Sequence, residues 1–200
     1  MRKAVLSLVA VAAIAVPVLA GNFNKVVSVG EKAPDISGLP AVYKGETTSV
    51  SLKDIKENVV VVVFLANHCP AVGMYEDRLI EFTKDYEGKG VRVLGISVSQ
   101  QEGDKLPGIK DYMKDKGSNY IYAYDESQTV GKAYGASNTP HFFVLDKERN
   151  IRYIGAMDNS PKEEKVTKHY LRDAVDAVLA GKTPEVVETR PYGCGISYAK

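Results

Sequence analysis

Between Val59 and Leu65 the chain runs through seven apolar residues without a polar interruption, five of them valine. β-Branched side chains in so short a run suit a strand covered on both faces, as in the centre of a parallel sheet, and the run is too short to cross a membrane. A helical pattern follows over residues 71–86. Val72, Tyr75, Leu79, Phe82 and Tyr86 recur at spacings of three and four and form one apolar stripe, while Glu76, Asp77, Lys84 and Asp85 fall outside it. After the turn Gly88-Lys89-Gly90, residues 91–98 form a second apolar strand. Strand, helix and strand with short connections make a βαβ unit, so the two strands are expected to be parallel with a right-handed crossover.

The rest of the pattern extends this unit. A Gly/Pro-punctuated entry over residues 21–58 holds a hairpin turn at Lys44-Gly45-Glu46, and a polar loop over 99–107 leads to a short helix at 108–116 with Ile109, Tyr112 and Met113 inward. A strand at 120–124 and a helix at 126–134 ended by Gly135 follow, the tyrosines here reading as half-buried packing groups. Phe142 to Asp146 and Ile151 to Gly155 flank the polar turn 147–150 and form an antiparallel hairpin. Ser160-Pro161-Lys162-Glu163 has the form of a capping box, predicting a helix from there through Leu171, Ala174, Val175 and Val178 to a stop at Gly181. Residues 181–200 form a tail beyond the domain, and no internal repeat is evident.

The first 20 residues stand apart. Met1-Arg2-Lys3 is basic, Ala4 to Val18 is almost wholly small and apolar, and Val18-Leu19-Ala20 before Gly21 is a small-residue cleavage pattern. This reads as a signal peptide, an uncleaved anchor being the alternative, and predicts an exported, periplasmic or secreted domain at 21–180 with no membrane span after cleavage. Without Arg2 and Lys3 the 26 basic side chains become 24 against 25 acidic, a net −1. That balance gives no electrostatic reason to expect nucleic acid or an anionic membrane as partner.

Only two cysteines occur, Cys69 and Cys194, too few for a disulfide scaffold and pointing to chemistry. Cys69 sits where the buried strand gives way to the amphipathic helix, with Pro70 suited to the first helical position. Unpaired N–H groups and the helix dipole there stabilise a thiolate. His68, and His141 beyond Pro140, are candidates to lower the thiol's pKa further as imidazolium. The same Cys69, His68 and His141 suggest a different class of function, a copper or other metal carrier. His169 reads as a surface residue.

Phe64 to Val72 resembles the active-site stretch of the thioredoxin superfamily, with Cys69 at the nucleophilic cysteine and Val72 at the second. With Tyr75-Glu76-Asp77-Arg78 it is most similar to a peroxiredoxin-like branch, the alkyl hydroperoxide reductase and thiol-specific antioxidant, or redoxin, group, whose stretch reads Cys-Asn-His-Cys-Pro. Ala66 replaces that branch's other cysteine, and Val62 and Ala66 replace the proline and threonine of true peroxiredoxins. Val29-Gly30-Glu31-Lys32-Ala33-Pro34, the lead-in Ser51-Leu52-Lys53-Asp54 and the tail Thr189-Arg190-Pro191-Tyr192-Gly193-Cys194 extend the likeness. The resemblance implies an α/β thioredoxin-like fold, a central mixed sheet flanked by helices with an N-terminal extension and C-terminal tail. It implies a thiol-dependent oxidoreductase acting on peroxide or protein disulfides, recycled by a thioredoxin-like or membrane-linked thiol reductant, with no cofactor and no resident metal. Thr139-Pro140 resembles the fold's cis-proline, leaving the Thr139 backbone free to pair with an extended substrate; His68, Pro70, Thr139, Pro140 and His141 are thereby the expected substrate face.

With neither Val72 nor Ala66 able to act, Cys194 is the one internal candidate to resolve an oxidised Cys69, within one chain or between two. The 13 residues from Gly181 to Cys194 span roughly 43 Å when extended, enough for the return. An inert tail thiol or a separate intermolecular bridge is the alternative. A third class of function is a redox-inert module that binds extended peptides beside Pro140.

Overall fold

The computed structural model describes residues 21–199; the expected signal peptide, residues 1–20, lies outside them. Strand β1 (Leu39–Tyr43) turns back into β2 (Glu46–Val50) through Lys44 and Gly45, both at positive φ as a two-residue hairpin turn requires. Then come β3 (Val59–Leu65), α1 (Pro70–Asp85), β4 (Val91–Ser97), α2 (Leu106–Lys116), β5 (Ile121–Tyr124) and α3 (Thr129–Tyr134). The remaining elements are β6 (Asn138–Thr139), β7 (His141–Leu145), β8 (Ile151–Gly155), α4 (Tyr170–Leu179) and β9 (Cys194–Gly195).

Seven strands form one mixed sheet in the order β2-β1-β5-β4-β3-β7-β8, and β6 and β9 form a separate pair. Every residue of β3 is buried. It lies parallel to β4, with Val63 opposite Gly95, and antiparallel to β7, with Phe64 opposite His141. Because side chains alternate across a strand, Val59, Val61, Val63 and Leu65 enter a core with Tyr75, Leu79 and Phe82 of α1 and Leu171 and Val175 of α4. Val60, Val62 and Phe64 enter the other core, with Val130 and Tyr134 of α3. Burying the strand on both sides leaves its C-terminal end as the natural place for a reactive loop.

Three sequence expectations need correction. The capping box at Ser160 opens no helix: residues 163–165 make one 3-10 turn, and α4 begins only at Tyr170. Arg78, paired with Asp158, donates to the carbonyls of Ser160 (3.2 Å) and Pro161 (2.7 Å), removing the acceptors a first helical turn would use. Asn159 holds the N–H groups of Thr167 and Lys168 at 2.9 and 3.0 Å, closing the segment as a loop. Glu76, which its spacing puts outside the apolar stripe, is nonetheless buried, accepting from Tyr112, Ser118 and Tyr120 hydroxyls. Correspondingly, Tyr120 and Tyr122 are wholly buried rather than half-buried.

Nor is the tail an appendage. From α4 it returns along β8, where Ile154 N–H donates to Val187 O (3.1 Å) and Thr189 N–H to Ile154 O (3.0 Å). It then crosses the C-terminal end of β3. Among the described residues no helix is long and apolar enough to cross a membrane.

Candidate active site

The loop Ala66–His68 carries the chain from β3 into α1. Cys69 is the N-cap of that 16-residue helix and Pro70, exposed, its first residue. Cys69 N–H donates to Ala66 O (3.0 Å), and Cys69 O accepts from Gly73 N–H (3.3 Å), so the residue is fixed by the turn before it and the helix after it. No acidic side chain occupies the helix's first turn, so nothing there offsets the positive end of the dipole. The Cys69 side chain is 1% exposed.

Opposite it lies the Thr139-Pro140 peptide bond, which is cis, with Thr139 O 3.3 Å from Cys69 Sγ. On its far side runs β9, antiparallel to β6, with Cys194 opposite Thr139 and Gly195 opposite Asn138. Cys69 and Cys194 are joined in a disulfide that bridges 125 residues, their Cα atoms 6.2 Å apart. Thr139 is therefore not a free edge, as the sequence suggested: the chain's own tail already pairs with it.

The approach of the tail is close. Gly193 has φ +145°, and a Cβ built there would lie 2.0 Å from Thr139 O, so no other residue fits without moving backbone. Asn138 Nδ2 donates to Gly193 O at 3.0 Å. Beyond the cysteine, Ile196 N–H donates to Ser137 O (2.9 Å), Tyr198 OH to Ala136 O (2.7 Å) and Ala199 N–H to Gln128 Oε1 (2.7 Å). Ile196 and Tyr198 also pack on the second core.

Asp104, wholly buried in the loop before α2, fixes the Asn67-His68 turn. Its carboxylate accepts from the N–H groups of Asn67 and His68 and pairs with His68 Nδ1. Asn67 is held further by its own bond to Gly103 O and by the Tyr122 hydroxyl (3.0 Å). A cavity of about 520 Å³ lies beside the disulfide, lined among others by Ala66, His68, Gln128, Thr139, Cys194 and Tyr198.

Residues 29–154 match the AhpC/TSA family model. The chain belongs to the AhpC/TSA family. Among solved structures, this AhpC/TSA protein is 34% identical to a hypothetical protein from Sinorhizobium meliloti 1021, which covers 86% of this chain and 96% of its own (TM-score 0.78). An uncharacterized conserved protein from Geobacillus kaustophilus is 29% identical, covering 93% and 98% (TM-score 0.80). The thiol-disulfide oxidoreductase ResA of Bacillus anthracis is 23% identical over 123 residues, a match covering 62% of this chain and 66%, just under two thirds, of the relative. The thioredoxin-like superfamily protein SPOA0173, 20% identical, superposes over 76% of this chain and 99% of its own (TM-score 0.62), which with the sheet order and flanking helices establishes the thioredoxin-like fold.

Of the residues singled out in the sequence, the fold of this AhpC/TSA protein gathers Cys69, Cys194, Thr139, Pro140 and His68, but His141 stands elsewhere. His141 pairs with Phe64 in the sheet and stacks 4.6 Å from the Phe143 ring, toward the core across the sheet from α1. It accepts from Ser137 N–H (3.3 Å) and its Nε2 has no protein partner. Burial lowers its pKa to about 3, so the ring is neutral and the expected imidazolium beside Cys69 is absent. The carrier reading needed Cys69, His68 and His141 together; they do not converge, since His141 is across the sheet and His68, its side chain 45% exposed, is held by Asp104. His169 is exposed at the start of α4.

Sequence reasoning missed Asp104 and Gly193. The aspartate sits in a polar loop indistinguishable by pattern from a solvated one. Gly193 beside a cysteine was the visible signal for a close backbone approach.

Proposed function

We propose that this protein is a thiol-disulfide oxidoreductase with Cys69 as nucleophile and Cys194 as its partner, cycling between a dithiol and the intramolecular disulfide. The observation that carries this reading is the bond between a cysteine at a helix N-terminus and a cysteine on a strand paired beside the cis-proline. In the dithiol form, the N-terminus of α1 favours the Cys69 thiolate. Attack on a substrate disulfide forms a mixed disulfide and releases one substrate thiolate; attack by Cys194 on Cys69 Sγ then releases the other and closes the Cys69–Cys194 bond, two electrons having passed to the substrate. The resemblance of ResA, named a thiol-disulfide oxidoreductase, supports this chemistry.

Family membership favours a second oxidant, peroxide. There Cys69 thiolate takes the terminal oxygen and becomes a sulfenic acid, the alcohol or water departing, and Cys194 displaces water to give the same disulfide. In either case a dithiol reductant restores the pair. The basic and apolar start of the chain supports an exported setting for this cycle.

The test is intact mass and peptide mapping of the reduced protein before and after one equivalent of oxidant. Wild type is expected to lose two hydrogens with a Cys69–Cys194 link; Cys194→Ser is expected to stop at a mixed disulfide or sulfenic acid on Cys69. Oxidation of Cys69→Ser at the wild-type rate sinks the assignment.

A further inference from the structure

The fold's strand edge at Thr139 is built for this chain's own tail. We infer that it stays closed to polypeptide substrates in both redox states, and that the oxidant reaching Cys69 is a small molecule with a weak S–S or O–O bond. This rests on the oxidoreductase reading above and narrows its substrate class.

Two independent observations carry it. First, the tail is held on both sides of Cys194 by contacts that do not involve sulfur. Upstream, Val187 and Thr189 bond the backbone of β8, and Thr189 Oγ1 accepts from Ala156 N–H (2.9 Å) and meets the Tyr153 hydroxyl (2.6 Å). Downstream, Ile196, Tyr198 and Ala199 are bonded to Ser137, Ala136 and Gln128. None of these contacts runs through either sulfur, so cleaving the disulfide does not itself break any of them. Second, the edge has a shape only a glycine satisfies: the residue before the cysteine lies where a Cβ would meet Thr139 O at 2.0 Å. A foreign cysteine-containing segment with any side chain there cannot take the register of β9.

What remains open beside the pair is the cavity of about 520 Å³, bounded by Thr139 and Cys194, the two residues that flank Cys69 Sγ. It is large enough for a peroxide or a short organic disulfide. Reaction there balances as in the cycle above. One small S–S or O–O bond breaks, the Cys69–Cys194 bond forms, and two thiols or one alcohol and one water leave.

The test compares matched leaving groups on the pre-reduced full chain, by acid quench and intact mass. Hydroxyethyl disulfide, hydrogen peroxide, and the mixed disulfide of 2-mercaptoethanol with a ten-residue extended cysteine peptide are the three oxidants. The peptide is expected to react about tenfold or more slowly than hydroxyethyl disulfide, because its flanking residues cannot enter beside the anchored tail. A chain ending at Gly195, which lacks the downstream anchors, is expected to bring the two rates within about threefold. Hydrogen exchange on the reduced full chain is expected to keep the Ile196 amide protected. Equal rates for peptide and small disulfide in the intact chain, or loss of Ile196 protection on reduction, overturns the inference and leaves the oxidoreductase reading standing. Failure of all three oxidants overturns both. Faster reaction with peroxide than with hydroxyethyl disulfide assigns the O–O bond as the substrate, and the reverse assigns S–S.

Discussion

Reducing the Cys69–Cys194 bond should cost this domain more stability than its modest change in native contacts suggests. The bond closes a span of 125 residues, and a cross-link acts chiefly by removing conformations from the unfolded chain. For a loop of this length the chain-entropy relation gives about 5 kcal/mol at 25 °C. The native side of the balance moves little, because Thr189, Ile196, Tyr198 and Ala199 hold the tail without the sulfur bridge. A domain of this size unfolds with an entropy of about 0.4 kcal/mol/K, so the loss appears as a fall in Tm of about 13 °C. By linkage the folded disulfide is harder to reduce than the same disulfide in the unfolded chain by an equal amount, roughly 100 mV for two electrons. Calorimetry with and without tris(2-carboxyethyl)phosphine, together with Cys194→Ser under reductant, measures each part. Cys194→Ser should melt with the reduced wild type. Oxidised and reduced melts within about 3 °C of each other, a difference of roughly 1 kcal/mol, would refute the unfolded-state origin of the effect. Cys194→Ser melting well below the reduced wild type would refute the claim that the tail holds itself.

Gly193→Ala places a methyl against Thr139 O at a backbone angle that side chains rarely adopt, and should lower stability in urea denaturation by about 2 kcal/mol with or without reductant; an unchanged stability contradicts the close fit. His141, buried with its pKa lowered to about 3, binds its proton in the unfolded chain near pH 6.5 but not in the native one, so its contribution to stability is whole above that pH and lost as pH falls toward 3. Between pH 6.5 and 5 this amounts to about 2 kcal/mol, read as a steeper acid limb of urea-derived stability in wild type than in His141→Phe; equal limbs contradict it. Asp104→Ala leaves the buried Asn67 N–H without its acceptor and frees His68, with an expected loss of about 3 kcal/mol in urea denaturation and less than half of that for Asp104→Asn; a loss below about 0.5 kcal/mol shows that the turn is not held by this carboxylate.

Much of the frame was legible because it is written in neighbouring residues. The valine run announced a doubly buried strand, the three-and-four spacing from Val72 to Tyr86 announced α1, and their junction placed Cys69 at a helix N-terminus. Each is a property of about fifteen consecutive residues or fewer, within reach of hydrophobic periodicity. The failures share the opposite feature. Glu76 lies beside the apolar stripe of α1, and only the tyrosines of α2 and β5 that close over it make it a buried acceptor. The capping box at Ser160 is locally sound, yet Arg78, about eighty residues earlier, takes the carbonyls it needed.

By itself, then, the sequence determined the central strands, helix α1 and the place of Cys69 at that helix's N-terminus, since burial of an amphipathic face depends on spacing along the chain. Whether Cys194 meets Cys69, whether the Thr139 edge is free and whether His141 faces the thiol depended on the path of a tail without periodicity and on which side of β7 each residue points relative to α1. Those were decided only when segments distant in sequence, 125 residues apart for the two cysteines, came within bonding distance, where a glycine without a side chain lets the tail lie against Thr139 and the sheet puts His141 on its other face.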